Sequence, residues 1–197
     1  MILLIDNYDS FVFNVKQYVE DISGKRVHTV RNDRITIKDI KKLDPSGIIL
    51  SPGPKHPADS NICLDILKSI PDIPVLGICL GHQAVGYSCS GLINRLSTPV
   101  HGKVSNVNII KKEKLFQNIP EKFSVMRYHS LYISENNFPE ELEILAKTDD
   151  GIIMAIKHKT KEIYGVQFHP ESYFTGYGKE ILKNFLSISY NQEEYSC

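Results

Sequence analysis

The segment Gly77-Ile78-Cys79-Leu80-Gly81 holds a thiol with a glycine two residues away on either side. Residues 74–78 read as a strand and residues 82–90 as a helical pattern, so the cysteine falls at a strand-to-helix turn. This is the G-x-nucleophile-x-G form of a nucleophile elbow, a turn tight enough to lift a reactive side chain above the strand ends. Glycine at both flanks avoids collision with neighbouring backbone and helix. At a helix N-terminus the dipole and the free N–H groups favour a thiolate. A lone cysteine is by default a buried structural residue. The elbow reverses that reading.

A second group lies at His169-Pro170-Glu171, just past a strand predicted over residues 163–168. Residues two apart in an extended segment project to the same side, and the proline between them limits drift. A carboxylate bonded to one imidazole nitrogen fixes the tautomer and leaves the other nitrogen to take a thiol proton. Taken alone, the pair reads as a surface histidine and a solvated glutamate. With Cys79 it completes a nucleophile, a base and an orienting group. A thiol that attacks an amide also needs donors for the oxyanion. The N–H of Leu80, next after the nucleophile, is one candidate. In Ser51-Pro52-Gly53-Pro54, after a strand at Gly47–Leu50, the prolines carry no N–H, so Gly53 is the donor at the loop tip. By itself that loop would be an ordinary turn.

These groups need a scaffold, and the first half of the chain supplies an alternating one. Strands are predicted over 1–5, 26–30, Gly47–Leu50 and 74–78. Helical spacing follows Asp9, through Phe11, Val12, Val15, Tyr18 and Val19, and follows Ser60, through Ile62, Cys63, Ile66, Leu67 and Ile70. Asp9 and Ser60 are the predicted N-caps. Such alternation implies a parallel sheet covered by helices on both faces. The second half turns to short strands over 104–110, 123–128, 144–147, 152–156 and 163–168, then a helix over 177–189. The expected fold class is α/β. One domain over 1–190 carries a mainly parallel central sheet flanked by helices, plus a smaller antiparallel β portion in the second half. A polar tail, 191–197, follows.

At 197 residues the chain can bury roughly 70% of its unfolded surface without disulfides or metal. Lys+Arg and Asp+Glu are both 23, a balance that argues against a nucleic-acid binder. Cys63, Cys79, Cys89 and Cys197 form no CxxC pair and match neither a zinc site nor a disulfide scaffold, so no metal site is expected. The N-terminus has no basic flank, Asp6 interrupts its apolar run, and no stretch approaches ~20 apolar residues. A soluble protein in a reducing compartment is expected, bacterial cytoplasm or plastid stroma, without membrane contact.

Asp6-Asn7-Tyr8-Asp9-Ser10-Phe11, Ser51-Pro52-Gly53-Pro54, Gly77-Ile78-Cys79-Leu80-Gly81-His82-Gln83, Arg127-Tyr128-His129-Ser130-Leu131 and Gly165-Val166-Gln167-Phe168-His169-Pro170-Glu171 together resemble the class I glutamine amidotransferases with a Cys-His-Glu triad. Within that class the first and fourth segments are most similar to the small subunits of anthranilate synthase and aminodeoxychorismate synthase. The resemblance implies that Cys79 attacks the side-chain amide of L-glutamine, forming a γ-glutamyl thioester and releasing ammonia. His169, oriented by Glu171, then activates water to hydrolyse the thioester. It implies Gly53 and Leu80 as oxyanion donors, at ~3 kcal/mol each. It also implies glutamine binding by Gly53, Pro54, Lys55, Gln83, Ser130 and Leu131. No cofactor is implied for this subunit. The implied partner is a chorismate-binding large subunit that holds Mg²⁺, in a heterodimer or heterotetramer. Where the family continues Pro-Gly-Pro with glycine, this chain has Lys55, which is strained if that position needs φ > 0. His82, His101 and His129 match motif positions near the expected partner face, with polar-loop or core histidines as the equal alternative. An elbow and a His-x-Glu pair alone would also permit a stand-alone γ-glutamyl hydrolase or cysteine peptidase, whereas the intact Cys79, His169 and Glu171 speak against a scaffold with a dead site.

Overall fold

In β1 (Ile2–Asp6) every residue is buried, and successive side chains leave on opposite faces. Ile2 and Leu4 join one apolar cluster, Leu3 and Ile5 another. β3 (Gly47–Leu50) and β4 (Val75–Ile78) divide alike, with Ile49, Leu76 and Ile78 on the first side and Ile48, Leu50 and Val75 on the second. A sheet that is apolar on both faces must be covered on both. On the first face lie α1 (Val12–Ser23), through Val12, Val15 and Val19, and α5 (Gly178–Ser189), through Ile181, Leu182, Phe185 and Leu186. On the second lie α2 (Ile37–Leu43), through Ile40, α3 (Ile62–Ser69), through Ile62, Cys63, Ile66 and Leu67, and α4 (Leu80–Ser88), through Ala84 and Val85. The computed structural model describes residues 1–70 and 72–190, so the expected tail lies outside the described residues.

The remaining strands are β2 (Val27–Arg31), β5 (Ile93–Ile109), β6 (Lys122–Ile133), β7 (Leu142–Thr148), β8 (Ile153–His158) and β9 (Ile163–Val166). All nine form one sheet in the order β2-β1-β3-β4-β9-β8-β7-β5-β6. Pairing is parallel from β2 to β9 and antiparallel beyond. This is the expected α/β class, with the antiparallel part continuing the parallel one. The register that matters is β4 on β9, where Val75 faces Ile163 and Ile78 faces Val166. The next residues on each side, Cys79 and Gln167, therefore come up together at the carboxyl ends of the strands. The Cys79 N–H donates to the Val166 carbonyl at 2.8 Å, which ties the turn to the neighbouring strand.

Several local expectations are corrected. Asp9 does not cap α1: the N-cap is Phe11 without a side-chain bond, and Asp9 Oδ1 instead accepts from the Phe11 N–H at 2.7 Å. Ser60 does not cap α3 either. Its Oγ donates to the Pro57 carbonyl at 2.6 Å, closing a short 3₁₀ turn, and Asn61 is the N-cap. In both cases the side chain satisfies a nearer turn before the helix begins. α2 lacked a predicted counterpart, although Thr36 and Asp39 make the reciprocal bonds of a capping box. β5 starts at Ile93, well before the predicted 104, because residues 94–106 stand largely in solvent and carry no apolar alternation. Among the described residues no helix is long and apolar enough to cross a membrane.

Candidate active site

Cys79 adopts φ 52°, ψ −97°, a conformation that non-glycine residues rarely hold and that costs on the order of 1–3 kcal/mol. The packing around it enforces the strain. A Cβ on Gly77 would lie 2.4 Å from the carbonyl carbon and oxygen of Gly81, and one on Gly81 would lie 2.4 Å from the Leu50 carbonyl oxygen. The two elbow glycines thus let α4 start directly against β3 and β4. Cys79 is only 6% exposed. The N–H of Leu80, first in α4, has no acceptor within the helix.

Facing this turn is the segment after β9. His169 Nδ1 and Glu171 Oε1 are 2.6 Å apart, and both residues are buried. His169 Nε2 is buried and makes no hydrogen bond among the described residues. Burial alone would lower the His169 pKa, but the charge of the neighbouring Cys79 and then Glu171 outweigh it and hold the ring well above its ordinary value. The ring is therefore poised to receive and keep a proton beside the sulfur. Phe11 and Tyr128 meet it edge-on, with centroids at 5.7 Å and 5.1 Å, and screen the pair from water. Thr175 fixes the segment's path: its hydroxyl donates to the His169 carbonyl at 2.6 Å and accepts from the Met126 N–H of β6 at 3.0 Å. Asp9, absent from the sequence-based site, is close enough for His169 and Glu171 to act on it. Burial raises its carboxyl pKa, opposed by the Phe11 N–H and the His169 charge.

The loop after β3 closes the third side. Asn7, after β1, receives a hydrogen bond to its carbonyl-type side-chain oxygen from Asn32 at 2.9 Å, while its amide donates to the Ser51 carbonyl at 2.9 Å. A Cβ on Gly53 would sit 2.8 Å from a Leu80 methyl and 2.7 Å from Asn7 Cβ, so only glycine lets this backbone approach the elbow. The backbone of Gly53 therefore lies against the Leu80 side chain. Pro54 and Lys55 lie exposed on the outer edge of the loop. Lys55 has φ 77°, so the lysine does occupy a left-handed position that glycine would hold without strain.

The predicted glutamine contacts divide. Gln83, Ser130 and Leu131 are brought together, for Gln83 Nε2 donates to the Leu131 carbonyl at 2.8 Å. That carbonyl also accepts from His129 Nδ1 at 2.9 Å, so both its lone pairs are taken. His129 and His82 are core residues, one of the two alternatives the sequence left open for them. His129 Nε2 accepts from Arg127 Nε at 3.0 Å, and a guanidinium only donates, so the proton is on Nδ1. Burial, reinforced by Arg127, lowers the His129 pKa to about 4, and burial lowers that of His82 to about 3. His101 is exposed and packs edge-on to Tyr128.

A ring whose folded pKa lies below its unfolded value near ~6.5 contributes stability that is whole above that value and is lost as pH falls toward the folded one. For His129 the loss by about pH 5 is about 2 kcal/mol. His129→Gln keeps one acceptor and one donor but cannot titrate. Its denaturant-derived stability should fall less between about pH 7 and about pH 5 than the wild type's, by about 2 kcal/mol. Equal falls would show that the ring is not held neutral.

The arrangement can move a proton from a strained thiol to an oriented imidazole. Among the described residues no group of His, Cys, Asp or Glu could hold a metal ion. A cavity of about 1060 Å³ lies at the opposite end of the strands, by Ser46, Pro74 and Asn184, and touches none of these groups. The chain is 50% identical over 191 residues to anthranilate synthase component 2 of Pyropia yezoensis, covering 96% of this chain and 100% of that one. It is 41% identical to anthranilate synthase component 2 of Methanothermobacter thermautotrophicus, covering 95% and 99%. A solved glutamine amidotransferase of Thermotoga maritima shares the fold at 15% identity, with TM-score 0.79 over 96% of this chain and 97% of that one. The family model for glutamine amidotransferase class-I matches residues 3–188, and the chain belongs to that family.

Proposed function

We propose that this chain is the glutaminase subunit of an anthranilate synthase, hydrolysing glutamine to glutamate and delivering ammonia to a chorismate-aminating large subunit in tryptophan biosynthesis. The observation that carries this reading is the His169–Glu171 pair at 2.6 Å with its free Nε2 beside the strained Cys79. The names of its relatives support the pathway. Cys79 gives its proton to His169 Nε2 and the sulfur attacks the carboxamide carbon of glutamine. The resulting oxyanion accepts from the N–H groups of Gly53 and Leu80. Collapse breaks the C–N bond, and His169 returns the proton to the departing ammonia. His169 then takes a proton from water, which attacks the γ-glutamyl thioester and frees glutamate and the thiol. Pro54, Lys55, Gln83, Ser130 and the Leu131 N–H border the glutamine. The Leu131 carbonyl, already doubly bonded, is not an acceptor for it.

This subunit uses no cofactor of its own, and Mg²⁺ belongs to the large subunit, which also receives the ammonia. Free ammonia at neutral pH is mostly protonated and no longer nucleophilic, so transfer within a complex preserves its reactivity. Mixing the chain with an anthranilate synthase large subunit should yield glutamine-dependent anthranilate, read by its fluorescence. If only an aminodeoxychorismate synthase large subunit is activated, the pathway assignment is wrong. If neither is activated and glutamine is hydrolysed by the chain alone, a stand-alone hydrolase replaces it.

A further inference from the structure

The geometry points to Gln167 as a further catalytic residue, its side-chain N–H donating to the Cys79 sulfur while Gln83, held by the Leu131 carbonyl, keeps the amide turned that way. The inference rests on Cys79 being the nucleophile. Gln167 is fully buried, and its Nε2 lies 3.7 Å from Cys79 Sγ. Its Oε1 accepts from Gln83 Nε2 at 3.1 Å. The β4–β9 register that sets Ile78 opposite Val166 explains why these side chains meet.

The direction of every bond in this chain is chemically determined. A backbone carbonyl only accepts, so the Gln83 group facing Leu131 at 2.8 Å must be the amide nitrogen. That same nitrogen faces Gln167, so the Gln167 atom toward it must be the oxygen. The nitrogen of Gln167 is then the atom left for the sulfur. Behind Leu131, the Arg127–His129 pair donates to the same carbonyl and holds it in place. Arg127 and His129 are positioning residues, acting on the sulfur only through Leu131, Gln83 and Gln167. An N–H donated to a thiolate favours the charged form, and in a site screened from water that preference is strengthened.

No other feature of the molecule extends this far. Cys63 donates to Asn7 Oδ1 at 3.2 Å in the core and only braces the loop. The exposed Tyr173 and Phe174 lie near the site, but nothing in the structure shows what covers them.

Gln167→Glu keeps the acceptor for Gln83 but turns an acceptor on the sulfur, and Gln167→Met removes the donor at similar volume. Both should shift the pH profile of Cys79 alkylation by iodoacetamide upward, by about one unit for methionine and more for glutamate. kcat should fall about tenfold with KM within about twofold, since the sulfur's charge matters most in the transition state. Circular dichroism and thermal melting report whether each variant is folded. The wild type supplies an independent readout: the Gln167 side-chain amide resonances should titrate together with the thiolate ultraviolet absorbance and stop doing so in Cys79→Ser. An unchanged alkylation profile in a folded variant, or amide resonances that ignore the thiol, overturns the inference. Glutaminase activity surviving in Cys79→Ser instead overturns the nucleophile assignment beneath it.

Discussion

Cys79→Ser is expected to abolish glutamine-dependent anthranilate formation while leaving ammonium-supported formation by the large subunit intact. A serine hydroxyl is far less acidic than a thiol, and an imidazole poised for a sulfur proton cannot activate it equally well. Loss of the nucleophile in a unit of mutually dependent groups costs on the order of 10³-fold or more. Folding should survive, because the exchange is nearly isosteric and the turn is enforced by Gly77 and Gly81 rather than by sulfur packing. The paired assay with glutamine and with ammonium salts separates the two activities. Full glutamine-dependent activity in the variant would remove the mechanism, and loss of both activities would point to a broken complex.

The second large effect is expected at Gly77, which never touches substrate. An alanine Cβ would come within 2.4 Å of Gly81 backbone atoms and 2.7 Å of the His82 nitrogen. Nothing there is the flexible end of a side chain, so the first turn of α4 must move away from β4. Overpacking of this kind costs about 3 kcal/mol. The elbow is also the reference point for the sulfur, the Leu80 N–H and Gln83, so its displacement spreads to all three. A shift of about 1 Å in a reacting atom costs on the order of 10²-fold in rate. Gly77→Ala should therefore melt several degrees lower and, where still folded, lose at least that factor of glutaminase activity. A variant that melts and turns over like the wild type would mean that the turn tolerates a side chain, and that the glycine is not what shapes it.

The elbow was legible in the chain itself, because tight backbone approach leaves glycine as the only option at fixed offsets from a nucleophile. The His169–Glu171 pair was legible for the same kind of local reason, two residues of one extended segment facing one side. Continuing that alternation one step upstream from His169 reaches Gln167, so a signal for it existed. It lacked meaning until a partner across the sheet was known.

What the amino-acid sequence determined by itself was the α/β alternation, the tight turn at Cys79, the spacing of imidazole and carboxylate, and glycine at 53 and 77. Tertiary structure decided the rest, since only the β4–β9 register sets Gln167 against the sulfur and only the β6 strand turns Arg127 and His129 into the core. The caps show the same division. Asp9 and Ser60 were credible helix starts on residue type, but each had a closer backbone group to satisfy, a competition that residue type alone does not resolve. Strand pairing and burial depend on residues far apart in the chain, and no local pattern encodes which distant side chains will share one dry pocket.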